Sequence, residues 1–367
     1  MIEIRKYKRK AKLLLMVLLL TSVNIHAQLD TSKSNISFTG YTEVYYSYDL
    51  SQPDDHNRPQ FFYSHSRHNE FNLNLGYLKA SYNTQRVRTN LALAAGTYMN
   101  VNYSAEPGVL KNIYEANTGI KLSKKKNLWV DAGIFSSHIG FESAVSKDCW
   151  GLTRSLLAEN SPYYESGIKL TFISDSSKWL LSALILNGWQ HIQRPAGNSI
   201  PAFGTQVTFT PNAKISINYS TFIGNEKPDT LQQMRYFHNI YGMFHINDKF
   251  HITAGFDFGM EQKSKESGDY NYWYSPVLIV KVNFNSKWSV TARGEYYCDK
   301  NGVIISTGTK NGFQTSGYSL NLDYRIRENA VWRIEGRGLN SIDKIFTMNK
   351  KISNENYFIT TSLAIAF

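Results

Sequence analysis

From Phe250 to Glu261 the chain alternates strictly: Phe250, Ile252, Ala254, Phe256, Phe258 and Met260 are apolar or small, and His251, Thr253, Gly255, Asp257, Gly259 and Glu261 fall between them. Successive strand side chains point to opposite faces, so this run predicts a β-strand with one face suited to lipid and one to water. The same period recurs along the chain. Ile36, Phe38, Val44 and Tyr46 oppose Ser37, Thr39, Glu43 and Ser47; Val87, Leu91 and Leu93 oppose Arg86, Arg88 and Asn90; Trp288, Val290, Ala292 and Tyr296 oppose Ser289, Thr291, Arg293 and Glu295. A soluble sandwich also alternates, so the strands alone do not decide the fold.

The connections separate the two cases, because membrane β-barrels have short turns on one side and long loops on the other. Short turns are predicted at Asn83-Thr84-Gln85, Ser123 to Asn127, Ser174 to Ser177, Thr210 to Ala213, Asn247-Asp248, Asn285-Ser286 and Arg327 to Asn329. Between them lie long connections at 49–67, 99–112, 138–163, 189–203, 224–234, 262–271, 298–311 and 341–355. Long and short alternate, which predicts an all-β fold: a single transmembrane antiparallel barrel of about 16 strands, within two, with short periplasmic turns and long extracellular loops. Trp129, Trp179, Trp288 and Trp332 each follow a short turn closely, where an interfacial aromatic girdle belongs. Trp129 is out of phase, sharing parity with Asp131; either a bulge shifts its register or it lines the lumen.

The N-terminus reads differently. Arg5, Lys6, Lys8, Arg9, Lys10 and Lys12 precede the apolar run Leu13 to Leu20, and Ala27 precedes Gln28. A basic head, a short apolar middle and a small residue at the end predict a cleaved signal peptide over 1–27. The run is shorter than the roughly 18 residues a spanning helix requires. A short periplasmic segment, 28–35, and the barrel, 36–367, complete the expected organisation. About 340 mature residues are too few for a plugged barrel of roughly 22 strands.

Losing six basic groups and one acidic group with the signal lowers the formal charge from +11 to +6. The remaining charges are scattered, which argues against nucleic acid as a partner. Aromatic residues make up 14% of the chain, yet its mean hydropathy is −0.36. A barrel reconciles the two values, since only alternate residues face lipid. Cys149 and Cys298 are the two cysteines; whether they pair or stay as free thiols is open at this level.

The connection from His138 to Tyr163 is the longest and third in order. Its Glu142, Lys147, Asp148, Arg154 and Glu159 are the candidate pore constriction, mixed charges able to set a transverse field. Candidate lumen-lining charges are Arg86 and Arg88, and on three successive strands Arg293 and Glu295, Asp323 and Arg325, and Arg333, Glu335 and Arg337. These are close enough to pair across strands, or to bias which ions enter. His65, His68 and His138 lie beside Ser and Glu residues, but no spacing fixes a catalytic or metal-ligand geometry. No cofactor, metal or enzymatic role is expected.

Gly96-Thr97-Tyr98, Asn102-Tyr103, Ile134 to Ser143, Thr153 to Leu156, Ser161 to Gly167 and Asn187 to Gln190 together give the chain its resemblance to the OmpL-like β-barrel porins, a family common in Bacteroidota. That resemblance spans roughly 36–367 and implies an outer-membrane porin; it brings no substrate and no binding residues. The expected partners are outer-membrane lipid, small hydrophilic solutes and the barrel insertion machinery, which would read the alternating C-terminal strand ending in Phe367; a homo-oligomer is compatible with this. The expected activity is passive diffusion through a polar lumen. The competing expectations are a closed surface scaffold or adhesin, and an outer-membrane barrel hydrolase.

Overall fold

The computed structural model describes residues 35–348 and 351–367. The expected signal over 1–27, and 28–34 of the segment after it, lie outside the described residues. The first half of the barrel is formed by β1 (Ile36–Asp49), β2 (Phe71–Asn83), β3 (Val87–Ala95), β4 (Ile113–Lys121), β5 (Asn127–Ser136), β6 (Tyr164–Ile173), β7 (Trp179–Leu186) and β8 (Ala202–Asn212). The second half is β9 (Ile215–Asn225), β10 (Met234–His245), β11 (Phe250–Gln262), β12 (Tyr270–Asn283), β13 (Trp288–Asp299), β14 (Phe313–Arg327), β15 (Ala330–Ser341) and β18 (Glu355–Ala366). A small hairpin, β16 (Phe346–Met348) and β17 (Lys351–Ser353), decorates the last long loop. Two short helices, α1 (Thr97–Asn102) and α2 (Leu156–Glu159), lie in the second and third loops.

Among the described residues, sixteen antiparallel strands form one closed barrel in chain order. Closure is a physical necessity: a free strand edge in hydrocarbon would leave N–H and C=O groups with no partner. Here β1 meets β18 from Tyr41↔Ala366 to Asp49↔Phe358. The seam is completed by Gly40 N–H donating to the Phe367 carbonyl at 2.6 Å and Phe367 N–H donating to Gly40 at 2.9 Å. Seven short turns, from 84–86 to 328–329, alternate with eight long loops, here L1 (50–70), L2 (96–112), L3 (137–163), L4 (187–201), L5 (226–233), L6 (263–269), L7 (300–312) and L8 (342–354).

Alternation along the strands becomes two faces of the wall. Leu278 and Leu320 point outward and are 50% and 62% exposed, while their neighbours Val277 and Ser319 are buried inside. Trp179 and Trp288 face outward near the short-turn rim, packed at a tilt against Phe209 and Tyr324 of the adjacent strands. Trp129 is different. β4, β5 and β6 pair around it without a register shift, so it lines the lumen, beneath the Arg88 guanidinium at 4.3 Å.

The inner face is less uniformly polar than alternation predicts. Leu184, Leu186, Phe222, Phe237 and Trp273 occupy lumen positions in one apolar cluster, and Val277 and Ile279 join a second. The runs Leu180 to Leu186 and Val277 to Val280 are almost unbroken by polar residues, the pattern of strands covered on both faces. Both cysteines are free: Cys149 is inside, in L3, whereas Cys298 has outward parity between Tyr274 and Gln314.

If Leu278 faces hydrocarbon, Leu278→Arg should destabilise the barrel by about 2–4 kcal/mol, the penalty for a cation near the bilayer midplane. Reversible urea unfolding in lipid vesicles measures this; a change below about 0.5 kcal/mol would mean that the residue does not contact lipid.

Candidate functional site in the lumen

L3 begins on the β5–β6 side and crosses to strands on the opposite side of the ring. At its start, the His138 ring lies between Glu165 Oε2, 2.9 Å from Nδ1, and the Thr221 carbonyl oxygen, 2.9 Å from Nε2. Ser220 Oγ donates to the His138 carbonyl at 2.7 Å, and Gly140 N–H donates to Asn239 Oδ1 at 3.2 Å. The wall leaves room for these contacts: a Cβ at Gly204 would lie 2.7 Å from the His138 ring, and one at Gly255 would lie 2.7 Å from the Phe141 ring.

Further along, Ser146 Oγ donates to Glu43 on β1 at 2.6 Å. Arg333 on β15 donates to the carbonyls of Ser146, Cys149 and Trp150 at 2.5, 3.1 and 2.8 Å. Thr153 donates from both its N–H and its hydroxyl to the Glu335 carboxylate, at 2.7 and 2.8 Å. Leu156 N–H donates to Glu295 at 2.6 Å. Arg293 and Arg337 return the bonds, donating to the carbonyls of Thr153 and Arg154 at 2.7 and 2.8 Å. Leu157 on α2 packs with Val277 and Ile279.

The predicted wall charges therefore separate into groups. Arg293, Glu295, Glu335 and Arg337 form one buried patch, with Arg293–Glu335 at 2.9 Å and Arg337–Glu295 at 2.6 Å. Asp323 pairs with Arg333 at 2.7 Å. Arg88 pairs with Asp131 at 2.5 Å on the other side of the barrel. Arg325 forms no ion pair among the described residues and borders a cavity near the short turns. Arg86 is a correction: it lies in the 84–86 turn, exposed, because β3 begins only at Val87.

The five loop candidates also divide. Arg154 is fully buried and donates to the carbonyls of Ser143, Ala144 and Leu152, holding L3 to itself. Glu142 accepts from the Ser155 N–H and hydroxyl, capping α2 from across the loop. Glu159 accepts from the N–H groups of Tyr63 and Ser64, joining L3 to L1; burial pushes its carboxyl up to about 7. Lys147 is half-exposed and Asp148 exposed, leaving these two of the five open to water.

The histidines in L1 have separate partners. His65 Nε2 is 3.2 Å from Glu43, and burial holds its pKa down. His68 Nδ1 accepts from Asp49 N–H at 2.9 Å.

Several lumen groups have no counterpart in the sequence reading. Lys79 pairs with Glu115 at 2.5 Å, and Lys169 lies 4.5 Å over the Phe135 ring. Lys281 on β12 lies 3.9 Å from Asp323. Their inward parity was a usable signal; Lys281 lost it by following the apolar run Val277 to Val280.

Solved structures share this architecture. An anion-selective porin from Comamonas acidovorans superposes with a TM-score of 0.60 at 8% identity, over 90% of this chain and 99% of that one. The outer membrane channel DcaP of Acinetobacter baumannii gives 0.60 at 8% identity, over 90% and 97%. OmpT, an outer-membrane protein of Vibrio cholerae, gives 0.57 at 11%, again over 90% and 97%. At these identities the likeness is one of fold. No curated protein sequence matches the chain. The family model described as "Putative beta-barrel porin-2, OmpL-like" matches residues 35–367, and the chain belongs to that family of outer-membrane porins.

Proposed function

We propose that this porin is a narrow passive diffusion pore whose bore is set by L3. The observation that carries the reading is the loop's attachment: beyond its start on β6 it is bonded to β1, β9, β10 and β13–β15, which leaves the short-turn half of the inner face of β2–β8 as the open wall. That wall carries half-buried polar side chains: Lys79, Arg88, Asn90, Lys169, Gln206 and Thr208. A small hydrophilic solute moving along it exchanges water for hydroxyl, amide and charged groups, with no tight site to delay its exit.

In this reading Lys147 and Asp148 are the constriction charges, and Glu142, Arg154 and Glu159 hold the loop in place. The 1–27 signal would export the chain, and the strand ending in Phe367 would present it to the insertion machinery. A homo-oligomer fits the fold, one of the Vibrio cholerae OmpT structures being described as a trimer form. A hydrolytic role has little support: both His138 ring nitrogens already face protein acceptors.

Single-channel recording in planar bilayers tests the pore. Discrete steps are expected, and replacing residues 143–158 with a short Gly-Ser linker should raise the unit conductance several-fold. An unchanged conductance would place L3 outside the solute path; no steps in either protein would leave the closed-scaffold reading.

The wall contacts make two further outcomes specific. Glu335→Ala would take from Arg293 one of its two carboxylate partners and leave the Thr153 N–H without an acceptor in a buried site, at a cost of about 3–5 kcal/mol, read as a lower unfolding midpoint in detergent. Gly204→Val should push the His138 ring off the wall and give noisy, enlarged openings. Wild-type traces from Gly204→Val would show that this contact does not position L3.

A further inference from the structure

Beneath L3, on the short-turn side, lies a cavity of about 410 Å³. Five cationic side chains border it from the lumen wall and from L3: Lys147, Lys281, Arg325, Arg327 and Arg333. One carboxylate from the lumen wall, Asp323, borders it with them, and it is already engaged by Arg333 and approached by Lys281. The side chains of Lys147, Arg325 and Arg327 form no ion pair or hydrogen bond among the described residues. In the short turns, Asp248 and Glu328 offset Lys249 and Lys287, so the excess of positive charge belongs to the wall and the loop.

The outer vestibule contrasts with this. A cavity of about 890 Å³ there carries Asp54 and Asp55 against Arg58, and Arg58 lies 3.7 Å from Asp49. The two cavities thus differ in the sign of their excess charge. A cleft lined by one sign of charge and walled by low-dielectric protein concentrates counter-ions. Guanidinium groups match the planar, two-oxygen edge of a carboxylate or phosphate, and lysine adds a mobile point charge.

From this geometry we infer that the periplasmic vestibule is a binding site for small multivalent oxyanions, phosphates or polycarboxylates, and that the pore passes anions in preference to cations. The inference rests on the diffusion-pore reading for its second half only; the site itself requires no conduction. The free ends of Lys147, Arg325 and Arg327 supply the binding, and Lys281, sharing its carboxylate with Arg333, adds to the positive potential. An oxyanion held between Lys281 on β12 and Arg325 on β14 would lie just beneath L3.

The test uses the full mature protein in planar bilayers. In a potassium chloride gradient the reversal potential should show chloride preferred over potassium. Inorganic diphosphate added on the periplasmic side should reduce the chloride current. In K281Q/R325Q the preference should fall toward unity and the half-blocking concentration rise about tenfold, while K281R/R325K retains both. Cation preference, diphosphate without effect, or a block unchanged in K281Q/R325Q would each overturn the proposal.

The turn lysines could instead hold lipid phosphate. The block is therefore compared in bilayers with and without anionic phospholipid; loss of the block with anionic lipid would assign the site to headgroups and overturn the solute proposal. If the protein does not conduct, calorimetric titration of diphosphate into the detergent-solubilised protein decides the site alone: binding weakened about tenfold in K281Q/R325Q supports it, and no binding overturns it. The pore reading then fails separately.

Discussion

Two carboxylates and two guanidiniums, Glu295, Glu335, Arg293 and Arg337, meet on the inner wall with almost no exposure to water. Taking charges out of water is costly, and their mutual attraction offsets the cost only when the remaining donors and acceptors are also satisfied. The strands satisfy one another's charges but leave oxygens and N–H groups pointing inward. L3 supplies most of the missing partners: Thr153 and Leu156 give their N–H groups to the carboxylates, and the carbonyls of Thr153 and Arg154 accept from the guanidiniums. A loop that swung out to solvent would leave the patch incomplete. The course of the longest connection across the barrel follows from this constraint.

The rest of the lumen supports that anchor in a different way. The buried charge patch fixes the middle of L3, whereas toward its ends shape is added to single polar contacts: His138 sits over Gly204, Phe141 over Gly255, and Leu157 against Val277 and Ile279. Polar anchors specify register and apolar contacts exclude water around them, so the loop has one position. Inside L3, Arg154 and Glu142 play the part of a small core, binding the loop's own carbonyls and its α2 N-terminus. The outward face is under a separate constraint, lipid, and carries the long apolar side chains that make the barrel a membrane protein.

Much of the barrel was legible because its physics is local. The strict alternation of β11 and the alternation of short and long connections predict both strand faces and an even strand count, and neither depends on distant residues. Arg86 failed for a local reason too, as turn boundaries shift by a residue or two. The fate of the loop charges was not local. Nothing along the sequence shows that the carbonyls of Ser143, Ala144 and Leu152 converge on Arg154, so it read as a free eyelet charge when it is a buried clamp. The covered stretches of β7 and β12 did leave a trace, since an apolar run on both parities announces that the inner face is covered as well. That trace marks the places where L3 and the other loops fill the lumen.

The central claim is that a loop held by the buried patch narrows the lumen without closing it. Liposome swelling measures this directly, with the purified protein reconstituted and challenged with neutral sugars of increasing size. The account predicts swelling with a pentose and exclusion of a trisaccharide. Entry of the trisaccharide at the pentose rate, or no swelling with any sugar, would contradict it.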